Sequence, residues 1–137
     1  MKCPACSEVL LVIERDGIEL DWCAVCRGVW FDAGELELLA EQLHAMPDPA
    51  ALGGIPASPG TEKLRHCPRC RRKMNKRRIG GDQMVLIDRC SEHGIWFDAG
   101  ELGIFLQGLV PGDTAEHRVH AFLGRIFRPS LNEEKKP

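Results

Sequence analysis

Eight residues of this chain have the types and spacing of metal ligands. Cys3, Cys6, Cys23 and Cys26 form C-x2-C-x16-C-x2-C, and Cys67, Cys70, Cys90 and His93 form C-x2-C-x19-C-x2-H. A C-x-x-C turn lets two sulfurs lie ~2.3 Å from one ion, and two such turns complete a tetrahedron suited to zinc. Four protein ligands leave no place for water or substrate, so the pattern predicts two zinc ions per chain, both structural. Disulfide or redox use of the thiols is the first alternative. It is disfavoured because the seven cysteines are odd in number and every one falls in a ligand pair. Iron is the second, since four thiolates also hold iron; His93 argues against it in the second set. His93 takes the fourth place in its pair, and a copy of the repeat described next follows it directly. His66, beside Cys67, is its competitor as a ligand, while His44, His117 and His120 read as surface residues.

These ligands must be positioned by short elements, and the chain carries the same set twice. Trp-Phe-Asp-Ala-Gly-Glu-Leu occurs at Trp30–Leu36 and again at Trp96–Leu102, each time just after a ligand quartet. Cys3–Cys6 and Cys23–Cys26 are knuckles at the two ends of a hairpin. Its strands are expected at Val9–Arg15 and Ile18–Trp22, and Asp16-Gly17 supplies the two-residue turn. In the second copy the strands are expected at Met74–Ile79 and Gln83–Asp88, around Gly80-Gly81-Asp82. Asp32 with Glu35, and Asp98 with Glu101, have capping-box spacing ahead of a helix. That reading takes precedence over a pair of catalytic carboxylates. Leu36, Leu39, Ala40 and Leu43, then Leu102, Phe105, Leu106 and Leu109, recur at helical period. Leu38 and Ile104 lie off those stripes, as exposed residues or as a second buried face. Trp30-Phe31 and Trp96-Phe97 are expected in the core; stacking on bases is the functional alternative.

The division that follows is a first module over residues 1–45, a Pro/Gly-rich linker over 46–63, a second module over 64–110, and an amphipathic helix with a charged, disordered tail over 111–137. The linker has no periodicity and permits relative motion. Pro47 and Pro49 stop the first helix and Pro111 the second. The tail helix would carry Val119, Phe122, Leu123 and Ile126 on one face, to dock on the modules or to meet a partner. Modules of ~40 residues are too small to fold on an apolar core alone, which again calls for metal.

Charge is unevenly spread. Residues 1–45 carry three basic and nine acidic side chains, while residues 63–78 carry nine Lys or Arg and no acid. The formal net charge of -2 becomes about -5 once seven thiolates bind two divalent ions. A whole-protein electrostatic case for nucleic acid is thus poor, and a local one remains on Arg69, Arg71, Arg72, Lys73, Lys76, Arg77 and Arg78. The alternatives are a solvated hairpin face and contact with an acidic protein. No apolar run approaches a membrane span. Met1-Lys2-Cys3 leaves no room for a signal peptide ahead of the first knuckle, and free thiols suit a reducing compartment, so a cytoplasmic protein is expected.

Knuckle, hairpin, knuckle and then Gly-Val-Trp-Phe-Asp-Ala-Gly-Glu-Leu resembles the transcription-factor zinc-finger family of the TFIIB type, small zinc-ribbon proteins common in bacteria and archaea. The resemblance spans Cys3–Leu39 and Cys67–Leu106. It implies zinc at the two quartets and a β-hairpin ribbon followed by a short helix in each module. The fold class is therefore small α+β zinc-ribbon modules in tandem, with a C-terminal amphipathic helix. The family name suggests transcription, although ribbon folds serve many functions. The function expected is a non-enzymatic zinc-binding adaptor, transcription-associated, that contacts proteins through its helix faces and tail and takes no small-molecule substrate. A nucleic-acid module using the basic hairpin is the second reading, and a zinc or redox sensor the third.

Overall fold

The computed structural model describes residues 1–43, 52–58, 60, 64–80, 84–109 and 123. The expected tail helix (apart from Leu123), the tip of the second hairpin at Gly81-Asp82, Lys63, His44, His117, His120 and the prolines at 47, 49 and 111 lie outside the described residues.

In the first module, β1 (Leu11–Arg15) and β2 (Ile18–Trp22) form the expected hairpin. Asp16 and Gly17 both have positive φ (54° and 81°), as a tight turn between right-twisted strands requires. A third strand, β3 (Val29–Asp32), pairs antiparallel with β2 and leads into α1 (Glu35–Gln42). The linker contributes β4 (Ile55–Pro56). The second module repeats the plan as β5 (Asn75–Ile79), β6 (Val85–Cys90), β7 (Gly94–Phe97) and α2 (Glu101–Leu109).

The modules are not beads on a linker. All seven strands form one antiparallel sheet in the order β1-β2-β3-β7-β6-β5-β4, joined at its centre by β3 and β7. In that join Trp30 lies opposite Trp96, Val29 opposite Phe97 and Phe31 opposite Ile95. Each pair relates a residue of one copy to one of the other copy about the Trp–Trp position, which makes the repeat a local two-fold. Gly28 and Gly94 stand one step ahead of the two strand cores. A methyl on Gly28 would lie 2.1 Å from Trp96 Cζ2, and one on Gly94 would lie 2.0 Å from the Phe31 carbonyl oxygen. Neither position tolerates a side chain while the two modules are paired.

The sheet has two faces. On one, Phe31, Phe97, Val29, Leu20 and Ile87 meet the helix stripes. Phe97 stacks edge-on to Phe31 at 5.8 Å and tilted to Phe105 at 5.6 Å. The helical stripes fall where their period places them: Leu36, Leu39, Ala40, Leu43, Leu102, Phe105 and Leu106 are all buried. Leu38 and Ile104 are each 42% exposed, which answers the question left by the sequence among the described residues. Leu123 lies half-buried against this core. On the other face, Trp30 and Trp96 pack with Cys3, Cys23 and Cys67.

Two expectations are corrected. The linker, expected to have no periodicity and to permit relative motion, is tied to the second module where Ile55 and Pro56 pair with Arg78 and Arg77 as an edge strand. The Arg77 guanidinium donates to the carbonyls of Gly53 and Gly54 at 2.8 and 2.9 Å, and Arg89 donates to that of Gly53. The first capping box also fails. Gly34, at φ 92°, holds the N-cap of α1, and no side chain caps it. Asp32 and Asp98 follow their tryptophans by two residues in or just past a strand, so their carboxylates project to the tryptophan face rather than over the helix start. Glu35 instead accepts the Glu19 backbone N–H at 3.1 Å.

Candidate metal centres

Three of the four ligand pairs share one backbone device. In the Cys3, Cys23 and Cys67 knuckles the N–H four residues on (Ser7, Arg27, Arg71) donates to the first cysteine's carbonyl at 2.8–2.9 Å. The first cysteine's own N–H donates to the carbonyl five residues on. Ser7, Arg27 and Arg71 consequently sit in the left-handed region, with φ of 63–67°. Amide N–H groups inside the turn also point at sulfur: Ala5 and Cys6 to Cys3, Cys26 to Cys23, and Arg69 to Cys67, at 3.3–3.4 Å. Such donors stabilise a thiolate.

The fourth pair is built differently, and this explains the residue missing between His93 and Trp96. Cys90 is itself the last residue of β6 and pairs with Gly94 across a tight turn. The shortened turn still delivers His93, with Nδ1 3.4 Å from the Cys90 sulfur. His66 is placed elsewhere, in an isolated bridge to Lys73, and is not among the clustered donors.

The hairpins bring the knuckles together as the spacing requires. In each quartet the four donor atoms lie within 4.8 Å of one another. The sulfur separations are 3.5 Å (Cys3–Cys26), 3.4 Å (Cys6–Cys23) and 3.8 Å (Cys70–Cys90). A tetrahedron of 2.3 Å zinc–sulfur bonds has edges of about 3.8 Å, and the donor sets lie close to that spacing. Cys3, Cys23 and Cys67 are buried and their partners half-buried. Burial pushes the Cys3 thiol well up and Cys67 to about 11. Cys23 is also desolvated, yet the amides of Cys26 and Val25 and the Cys6 thiol bring it down to about 7. Beside the Arg72 N–H and guanidinium, Cys70 falls to about 6. Burial pushes the Cys26 thiol up as well, so each centre combines a sulfur that ionises readily with at least one that burial holds protonated.

A profile of the family described as transcription factor zinc-finger matches residues 2–42 and 66–108. The chain belongs to that family. It is a zinc-ribbon protein with two tandem modules, each carrying a complete Cys/His cluster. Neither a characterised protein nor a solved structure matches it. Among the described residues no helix is long and apolar enough to cross a membrane.

The basic residues singled out from the sequence are scattered by the fold. Lys76 is buried, its ammonium 2.9 Å from Asp88 in a pair only 1% exposed on each side. Burial pushes the Asp88 carboxyl up against the pull of Lys76 and Arg65. Arg69 grips Asp32 of the other module with two guanidinium nitrogens, and this hydrogen-bonded pair holds the Asp32 carboxyl below its usual range. Arg72 meets Glu92 at 2.8 Å, and Arg77 holds the linker. Arg71, Lys73 and Arg78 remain exposed. The tryptophans offer no stacking surface: Trp30 and Trp96 are fully buried, each donating its indole N–H to the aspartate two residues on.

Sequence reasoning missed the polar layer around the tryptophans, namely Asp21, Asp88 and Arg65. It also missed the role of the two glycines. The signal available was their recurrence: Gly28 and Gly94 each precede a β-branched residue and Trp-Phe in both copies.

Proposed function

We propose that the chain is a non-enzymatic adaptor that binds two zinc ions, is associated with transcription, and acts by contacting proteins. The observation that supports this is the closure of both centres. Each gathers four protein donors at tetrahedral spacing, with amides already committed to the Cys3, Cys23 and Cys67 sulfurs. A catalytic zinc keeps a position open, and a structural one does not. Protein contact is preferred to nucleic acid because four of the seven expected basic residues are held by carboxylates or backbone carbonyls of the chain itself. The test is elemental analysis of the purified protein under reducing conditions. Two zinc ions per chain are expected. One would remove the Cys67–His93 centre from the proposal, and iron in place of zinc would overturn it.

A further inference from the structure

The first knuckle of each module borders a common groove of about 650 Å³, a volume typical of binding clefts. Lys2, Pro4 and Val9 of the first module and His66, Pro68 and Arg71 of the second line it. The residues are arranged alike in the two copies, since the Lys2–Val9 and His66–Lys73 bridges occupy matching positions. None of the described residues lining the groove is acidic. Lys2 and Arg71 are exposed, and neither is engaged by a carboxylate among the described residues. The Cys3 and Cys67 sulfurs that back the groove are buried, and each accepts from amides of its own knuckle. Val9, 65% exposed, and Met1 add an aliphatic surface.

We infer that this groove docks an extended acidic segment of a protein partner, one that carries aliphatic side chains between its carboxylates. This rests on the adaptor reading and gives it a surface. Carboxylates would meet Lys2 and Arg71 while aliphatic groups covered Val9 and the two prolines. Nucleic acid fits less well. The groove has no aromatic side chain on which a base could stack. Its two strong cations are also few beside the six to ten phosphate contacts common in such complexes. Because both modules form the groove, the partner reads their pairing and not either module alone.

The test is fluorescence anisotropy on the full, zinc-loaded chain with a labelled peptide of alternating Glu and Leu. An oligonucleotide of equal charge serves as competitor. Salt-sensitive peptide binding is expected, weakened about tenfold or more in Lys2→Glu/Arg71→Glu as two exposed ion pairs are lost together. Arg78→Glu, which changes an exposed cation on β5, is expected to bind as the unaltered chain does. Metal content and an unchanged denaturation midpoint together confirm the fold of each variant, and Lys2→Ala/Arg71→Ala replaces the reversal if that variant fails either. No peptide binding, equal loss in Arg78→Glu, or full displacement by the oligonucleotide would overturn the inference. A photo-crosslinker at Val9 and another at Ile104, used in the native cell extract, separate the two levels. Protein adducts at Ile104 alone sink the groove and keep the adaptor; adducts at neither sink both.

Discussion

Adding one methyl group at Gly28 tests whether the modules act as one sheet. The new Cβ would lie 2.1 Å from Trp96 Cζ2, 2.5 Å from Cη2 and 3.0 Å from the Phe97 carbonyl oxygen. Carbon atoms rest at roughly 3.5–4.0 Å, so the first overlap is about 1.5 Å. The indole cannot swing clear. It is fully buried, and its N–H is tied to Asp98 at 3.2 Å. Relief must come from parting β3 and β7. Overpacking costs typically 1–3 kcal/mol and occasionally more; with no free volume beside a fixed ring, Gly28→Ala belongs near 3 kcal/mol. For a chain of this size that is a fall in Tm of roughly 10 °C.

All four donors of each centre come from within one module, so the variant should keep its full zinc complement while losing stability. The assay is chemical denaturation at a fixed zinc concentration, with tryptophan fluorescence as readout and elemental analysis on the same sample. The control is Gly53→Ala, where nothing lies within 4 Å of the added atom and the change should stay within about 0.5 kcal/mol. If Gly28→Ala unfolds like the unaltered chain, the β3–β7 join is not what holds the modules together. If it loses zinc as well, the centres depend on the join and the division into self-sufficient modules is wrong.

Further expectations concern individual groups. Stripping zinc with a strong chelator should abolish the folded circular dichroism spectrum, because such sites supply roughly 10–16 kcal/mol; an unchanged spectrum would show that the core suffices. His93→Ala should reduce bound zinc to one ion per chain and His93→Cys should restore the second, whereas His66→Ala should leave both; equal loss from both alanine variants would reassign the ligand. Lys76→Met should destabilise by about 3 kcal/mol, since it leaves buried Asp88 only the longer contact to Arg65 at 3.5 Å, while Arg78→Met should change little. A near-neutral Lys76→Met would return that lysine to the surface. Arg69→Ala removes a partly solvent-screened pair worth at most about 1 kcal/mol. Because the Asp32 pKa is lowered in the folded chain, that contribution is complete above the unfolded value of about 3.9 and fades only as pH falls through the lower folded one. The Arg69→Ala deficit should therefore be constant between pH 6 and 8, and a deficit that varies across that window would contradict the assignment.

The ligands were legible in the sequence because zinc imposes a spacing that little else needs. The first hairpin was legible because Asp16-Gly17 states its turn and the alternation of Ile18 and Leu20 states its buried face. The third strand of each module was not. Trp30-Phe31 and Trp96-Phe97 read as core residues of unspecified conformation, since four-residue apolar runs carry too little periodicity to separate strand from packed turn. The pairing of β3 with β7 was beyond the sequence for the same reason. Edge-to-edge pairing is written in backbone groups, and only the glycines that admit it leave a trace. The basic run misled because local density of Lys and Arg says nothing of partners distant in sequence. Asp32 is 37 residues from Arg69, and Asp88 meets Lys76 only through the register of a hairpin.

What the two copies do not share locates the division of labour between them. The aspartate opposite the tryptophan is buried in both, as Asp21 and as Asp88. In the second module Lys76 stands across the hairpin from that aspartate; in the first the same register position holds Val12, 64% exposed. The residue two before the first ligand is Arg65 in the second module, reaching both Asp88 and Asp98, and Met1 in the first. The first module therefore offers its buried carboxylate the N-terminal ammonium of Met1 where the second offers Lys76 and Arg65. Burial and Asp32 push the Asp21 carboxyl up, and Arg69, from inside the other module's knuckle, draws it down together with the Met1 ammonium. In the second module the cations that face Asp88 come from the same module, while Asp21 of the first is faced also by Arg69 of the second. An Arg69 held between two ligands of one centre, and bonded to the other module, makes the pairing of the modules sensitive to whether the second knuckle is formed. Loss of metal at Cys67–His93 should then loosen the first module as well, whereas loss at Cys3–Cys26 should leave the second intact. Zinc titration of the apo chain with module-resolved amide signals distinguishes these, and symmetric behaviour of the two centres would show that Arg69 couples nothing.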